Sequence, residues 1–157
     1  MHTFISNSPE ETFALGQSWA VERRPVWVIG LIGDLGTGKT QLVKGLAAGL
    51  GIPGTVTSPT FALLQQHDTG ILPLAHIDLY RLKSQSEIVV AGLEDYLTTP
   101  NGVVAVEWFE RWLGVGWQPG QPLPESAQPA AGQSLRLVHL TDEGETKRRI
   151  IHEDFGD

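Results

Sequence analysis

The feature that most constrains this chain is the run Gly33-Asp34-Leu35-Gly36-Thr37-Gly38-Lys39-Thr40, which fills every fixed position of the phosphate-binding loop pattern G-x-x-x-x-G-K-[ST]. Such a loop needs a buried strand before it and a helix after it. Val26-Trp27-Val28-Ile29-Gly30-Leu31-Ile32 is a short apolar run of the kind that parallel sheets bury on both faces. From Thr40 to Leu50, the residues Leu42, Val43, Leu46, Ala47 and Leu50 recur at helical spacings, and Gly51 stands where a left-handed cap would close the helix. The glycines let backbone N–H groups turn inward on phosphate oxygens at a helix N-terminus. Lys39 would add a point charge for the β- and γ-phosphates. Thr40 would add a hydroxyl for Mg2+, which prefers oxygen ligands and keeps several waters.

A chain of 157 residues suits one domain, so residues 1–157 are read as a single unit. It has no cysteine, which removes disulfides and thiolate metal sites. The first residues lack a basic region followed by an apolar core, and no later apolar run is long enough to span a bilayer; the expected location is the cytoplasm. A formal charge of −7 argues against free-standing, sequence-independent binding to nucleic acid, which draws its affinity from many cations.

Along the chain, His2 to Ser6 reads as a short edge strand. Ser8-Pro9-Glu10-Glu11 reads as a capped helix start, the helix running to about Arg23. Ile52 to Thr60 has two prolines and a cluster of hydroxyls, and is irregular. Phe61 to Gln66 and Leu72 to Leu79 are predicted strands joined by a turn at His67 to Gly70, an antiparallel hairpin inserted in an otherwise parallel sheet. On the second of these, His76, Asp78 and Tyr80 share a face. Ser84 and Glu87 open another helix, and Leu93 to Leu97 adds a helical turn. Gly102 to Val106 is a second fully apolar strand and runs into Glu107-Trp108, with a helical turn over Phe109 to Leu113. Residues 114–133, rich in proline and glycine, read as an exposed insertion. Ser134 to Thr141 and Lys147 to Glu153 form a terminal hairpin. The fold class expected is α/β, a three-layer sandwich like that of P-loop nucleoside triphosphatases, its sheet mostly parallel with an inserted antiparallel hairpin.

A phosphate loop works with an acid at the end of a neighbouring strand, which holds Mg2+ directly or through water. Glu107 and Asp78 both qualify. The run before Glu107 is the more uniformly apolar, as for a central parallel strand opening into a ligand crevice, so Glu107 is preferred for the metal and Asp78 for placing a water. Asp78 could instead be the buried partner of Arg81 or His76. The hydroxyls of Thr57-Ser58-Pro59-Thr60 could sense a γ-phosphate or line a solvated turn. Trp108 could stack on a base or fill the core. The five histidines show no metal-ligand spacing. Neither N-K-x-D nor D-x-x-G occurs, which points to adenine rather than guanine.

Taken together, the phosphate loop, Thr57-Ser-Pro-Thr-Phe61, His76-Ile-Asp-Leu-Tyr-Arg81 and Val106-Glu-Trp108, followed by Glu110-Arg111, resemble the bacterial TsaE (YjeE-type) family. The resemblance implies an ATPase required for threonylcarbamoylation of adenosine 37 in tRNAs that read codons starting with A. It would act with TsaB-type and TsaD-type partners and meet tRNA indirectly through that complex, a direct contact of tRNA with this chain being left open. It further implies Mg-ATP bound by Leu35, Gly36, Thr37, Gly38, Lys39, Thr40 and Gln41, with Thr40 and Glu107 on the metal. Lys39, Asp78 and Thr60 become the expected catalytic groups, Trp108 the base-stacking aromatic and Thr12 a neighbour of the adenine. Phe109 stands where members often carry proline, and the 114–133 insertion is longer than the family's pattern suggests; Arg148 is a candidate for a C-terminal nucleotide contact. Two rivals remain: a small-molecule kinase, disfavoured because 114–133 holds no lysine or arginine for a phosphate lid, and an interaction module gated by nucleotide with incidental hydrolysis.

Overall fold

The computed structural model describes residues 1–156 as one seven-stranded sheet flanked by helices. In chain order the strands are β1 (His2–Ser6), β2 (Val26–Ile32), β3 (Leu64–His67), β4 (Leu74–Asp78), β5 (Gly102–Glu107), β6 (Ser134–Asp142) and β7 (Arg148–Gly156). The helices are α1 (Pro9–Trp19), α2 (Lys39–Gly49), α3 (Gln85–Val90), α4 (Glu94–Thr98) and α5 (Glu110–Leu113). The spatial order is β1-β7-β6-β2-β5-β4-β3. The central four, β6, β2, β5 and β4, run parallel, while β3, β7 and β1 pair antiparallel at the two flanks. The antiparallel pairs are the inserted hairpin β3–β4 and the terminal hairpin β6–β7, both expected from sequence, with the edge strand β1 added on β7.

Parallel strands covered on both faces must be apolar throughout, and every residue of β4 and β5 is buried. One face packs Trp27, Ile29 and Leu31 against Leu42, Val43 and Leu46 of α2 and Trp19 of α1. The other packs Val28, Val104 and Val106 against Ile88, Leu97, Phe109 and Trp112. These are the three layers of the expected sandwich. At α1 and α2 the backbones touch: a Cβ on Gly16 would lie 2.1 Å from the Leu42 carbonyl oxygen, and one on Gly45 2.0 Å from that of Phe13. This holds Thr12 of α1 against the loop, its methyl 3.6 Å from where a Cβ on Gly38 would sit.

Two local expectations change. The strand predicted from Phe61 begins only at Leu64, because the Leu63 N–H bonds back to the Pro59 carbonyl at 2.7 Å and Leu63 turns at φ +67°. Phe61 is left 85% exposed. Residues 114–133 are not simply an exposed insertion: Trp117 and Leu123 pack on the second core, Ala127 is buried, and the Gln85 side chain donates to Ser126 at 2.9 Å. Phe109 fills the space above Gly30, where a Cβ would come within 2.5 Å of its ring. Among the described residues no helix is long and apolar enough to cross a membrane.

Candidate nucleotide site

The loop leaves β2 at Ile32 and enters α2 through Gly38, which takes φ +99° and offers no side-chain acceptor. In this α2 differs from α1 and α3, while the short α4 and α5 also start without a side-chain cap. Ser8 caps α1 by accepting from the Glu11 N–H, and Ser84 caps α3 by accepting from that of Glu87. The first-turn N–H groups of α2 have no such side chain and are available to an anion. Thr37 pinches the loop, donating its hydroxyl to the Asp34 carbonyl at 2.8 Å. Lys39 donates to the carbonyls of Gly33 at 2.6 Å and Asp34 at 2.8 Å, with Trp108 4.3 Å from the ammonium to the ring centre. Burial lowers the Lys39 pKa from its ordinary value, opposed by the carboxylates of Glu107, Glu110, Asp78 and Asp34.

Glu107 and Asp78 stand side by side, paired in register at the ends of adjacent parallel strands. Glu107 Oε1 accepts from the Thr40 hydroxyl at 2.8 Å, and Oε2 lies 2.6 Å from His76 Nε2. Asp78 Oδ2 accepts from the hydroxyls of Ser58 at 2.8 Å and Thr60 at 2.9 Å, while Oδ1 takes the Tyr80 N–H at 3.0 Å. Asp78 is therefore partner neither to His76, which is engaged by Glu107, nor to Arg81, whose guanidinium lies over Phe61 at 4.2 Å. The Ser58 and Thr60 hydroxyls are tied to that acid rather than spread over a solvated turn.

Among the described residues no group of three or more histidines, aspartates and glutamates could hold a metal unaided. Mg2+ does not require one: it takes one or two protein oxygens and completes its octahedron with phosphate and water. Thr40 Oγ1 and Glu107 Oε1, 2.8 Å apart beside the loop, are such a pair. The residues present fit a Mg-nucleotide.

A cleft of about 430 Å3 brings together Leu35, Gly36, Gly38, Lys39, Thr40, Gln41, Thr60, Asp78, Glu107 and Trp108. A second compartment, of about 260 Å3, shares Gly36, Gly38 and Gln41 but is lined on its far side by Thr12, Thr37 and Arg148. There the buried Thr12 hydroxyl lies 2.7 Å from that of Ser6, and Arg148 donates to the Gly36 carbonyl at 3.3 Å. Thr12 and Trp108 thus line adjoining compartments that meet at Gly36, Gly38 and Gln41. Trp108 holds a left-handed φ of +61° and stacks obliquely on Tyr80, ring centres 5.1 Å apart.

Three neighbours of the site have contacts that sequence reasoning misses: it offers Ser58 only as a candidate γ-phosphate sensor, His76 only as a candidate partner of Asp78, and Glu110 in no role. His76 and Ser58 meet their acids across 31 and 20 residues, and no spacing pattern announces such pairs. Glu110 sits near Lys39; burial pushes its carboxyl up to about 7, with Lys39 and Arg111 pulling the other way, and its buried Oε1 has no hydrogen-bond partner.

Residues 6–150 match the family model for "threonylcarbamoyl adenosine biosynthesis protein TsaE". The chain belongs to the TsaE family. Similar TsaE proteins include the tRNA threonylcarbamoyladenosine biosynthesis protein TsaE of Bacillus subtilis, 46% identical over 101 residues, 64% of this chain and 62% of that protein. The Nostoc protein of the same name is 49% identical over 87 residues, 54% of this chain and 53% of that one. The matched region thus spans between half and two thirds of these TsaE relatives. Among solved structures, the crystal structure of Bacillus subtilis YdiB superposes with a TM-score of 0.69 at 31% identity, covering 98% of this chain and 83% of that one.

Proposed function

We propose that this TsaE-family chain is the ATPase subunit required to form N6-threonylcarbamoyladenosine at adenosine 37 of tRNAs reading A-starting codons, acting in the cytoplasm on a complex of TsaB-type and TsaD-type proteins. The observation that carries the catalytic part is the Thr40–Glu107 bond of 2.8 Å, which joins the phosphate helix to an acid on a separate strand in the cleft that holds Lys39. The pathway rests on the family match and on the names of the relatives.

In this reading Thr40 and Glu107 hold Mg2+, which would neutralise charge on the β- and γ-phosphate oxygens. Lys39 exchanges its bonds to Gly33 and Asp34 for phosphate oxygens, and the uncapped N–H groups of α2 face the same charge. Asp78, fixed by Ser58 and Thr60, orients a water for in-line attack on the γ-phosphorus; the bond to the bridging oxygen breaks and ADP leaves. We assign the nucleoside to the Thr12 and Arg148 side, because Trp108 covers Lys39 at the triphosphate's far end. Lys39→Ala should lower phosphate release at least about a hundredfold, the scale set by losing one preorganised donor to a developing charge. It should also abolish modified tRNA formation in a reconstituted mixture with both partners. Unchanged phosphate release in that variant refutes the assignment.

A second reading, a nucleotide-gated assembly module, is favoured by one observation: Lys39 is engaged by its own loop and covered by Trp108. If a non-hydrolysable ATP analogue supports both partner assembly and repeated rounds of modification, the gate is sufficient and hydrolysis is incidental.

A further inference from the structure

Outside the loop itself, one buried ring has a hydrogen-bonding pattern that a purely structural histidine would not need. His76 is fully buried in the middle of β4, in register with Ala105, so its ring reaches diagonally to Glu107 two residues further along β5. Nε2 lies 2.6 Å from Glu107 Oε2, and Nδ1 is buried with no partner. A dry Nδ1–H without an acceptor would be costly, so the hydrogen belongs on Nε2 and Nδ1 presents only a lone pair. The single hydrogen bond of this imidazole is therefore spent on one carboxylate oxygen. A glutamate side chain is otherwise free to rotate its carboxylate or to lean toward a nearby ammonium, and Lys39 is within electrostatic reach.

We propose that His76 is the positioning residue of the metal site: its Nε2–H pins Oε2 of Glu107 and leaves Oε1 as the one oxygen turned toward the Thr40 hydroxyl and a divalent cation. This rests on the Mg-ATP reading given above and adds to it what orients the acid. Asp78 is held by three donors, whereas Glu107 has one besides Thr40, so removing the imidazole frees its carboxylate.

The test measures affinity rather than turnover. A non-hydrolysable ATP analogue is titrated into the full chain with saturating Mg2+ and again with a chelator, for the wild type and for Glu107→Ala, His76→Leu, His76→Asn and His76→Gln. Glutamine carries its N–H at the position of Nε2, whereas asparagine ends one bond short and leucine has no donor. The Mg2+-dependent gain should fall about 10- to 100-fold in the Leu and Asn variants, the usual cost of losing a group that orients a metal ligand. It should return to within about threefold in the Gln variant, with chelator-measured affinity unchanged throughout. Should the Leu variant fail to fold, the Asn and Gln pair carries the same contrast. A gain that Glu107→Ala loses but Leu and Asn keep overturns the positioning role alone, as do equal losses with and without Mg2+, or no recovery with Gln. A wild type with no Mg2+-dependent gain overturns the magnesium reading, and this one with it.

Discussion

Asp78 and Glu107 are near-identical by most measures: adjacent strands, the same register, 3% exposure each, one cleft. They differ in what they are fastened to. Glu107 is joined to Thr40, the first turn of the phosphate helix, and to His76 beneath it. Asp78 is joined to Ser58 and Thr60, on the irregular segment that follows α2. Two equally buried acids can therefore hold different offices, one coupled to where a nucleotide's metal would sit and the other to a loop at its edge. Burial and strand position do not separate them; their partners do.

The sharpest way to break that contrast is to remove each charge in turn. Glu107→Ala should cost about a hundredfold in Mg2+-dependent turnover, equivalent to about 3 kcal/mol of barrier. Asp78→Asn should lower turnover about tenfold while leaving Mg2+-dependent nucleotide affinity within about threefold. If the two variants lose Mg2+-dependent affinity equally, the division of labour is wrong. A smaller effect is expected from Ser58→Ala, which removes one of two hydroxyls on Asp78 Oδ2: about 1 kcal/mol, or roughly fivefold in steady-state rate, with Mg2+ affinity unmoved. A rate that stays at the wild-type level would show that Thr60 alone holds the acid.

The mildest test concerns a third acid in the same neighbourhood. The Glu110 carboxyl is raised by burial from 4.5 to about 7. Between those values the folded chain keeps a proton that the unfolded chain has lost, so this group erodes stability as pH rises through the window, and the loss is complete above about 7. Thermal midpoints of wild type and Glu110→Gln should therefore diverge between about pH 5 and about pH 8, with the wild type falling further. Parallel curves would show that Glu110 ionises as it does in water.

Much of the site was legible from local grammar. The loop, its strand and its helix obey spacing rules that act within a dozen residues or so, and the apolar runs before Asp78 and Glu107 mark both as ends of buried strands. The partners of the acids were not legible, since tertiary contacts between elements leave no periodic trace. Leu63 shows the same limit at the backbone: a β-like composition gave way to a left-handed turn held by the Pro59 carbonyl. Residues 114–133 misled for another reason. Their bulk composition is that of a linker, yet Trp117, Leu123 and Ala127 anchor the segment to the second core. A handful of apolar residues outweighs an average.

The backbone contact between α1 and α2 at Gly16 and Gly45 has a mechanical corollary. With no side-chain padding between them, the two helices have no slack at this seam, and a single methyl at position 45 would act as a wedge that levers Thr12 away from Gly38. The width of the compartment on that side is thus set at a backbone seam that begins one residue beyond Gln41 and is lined by no side chain.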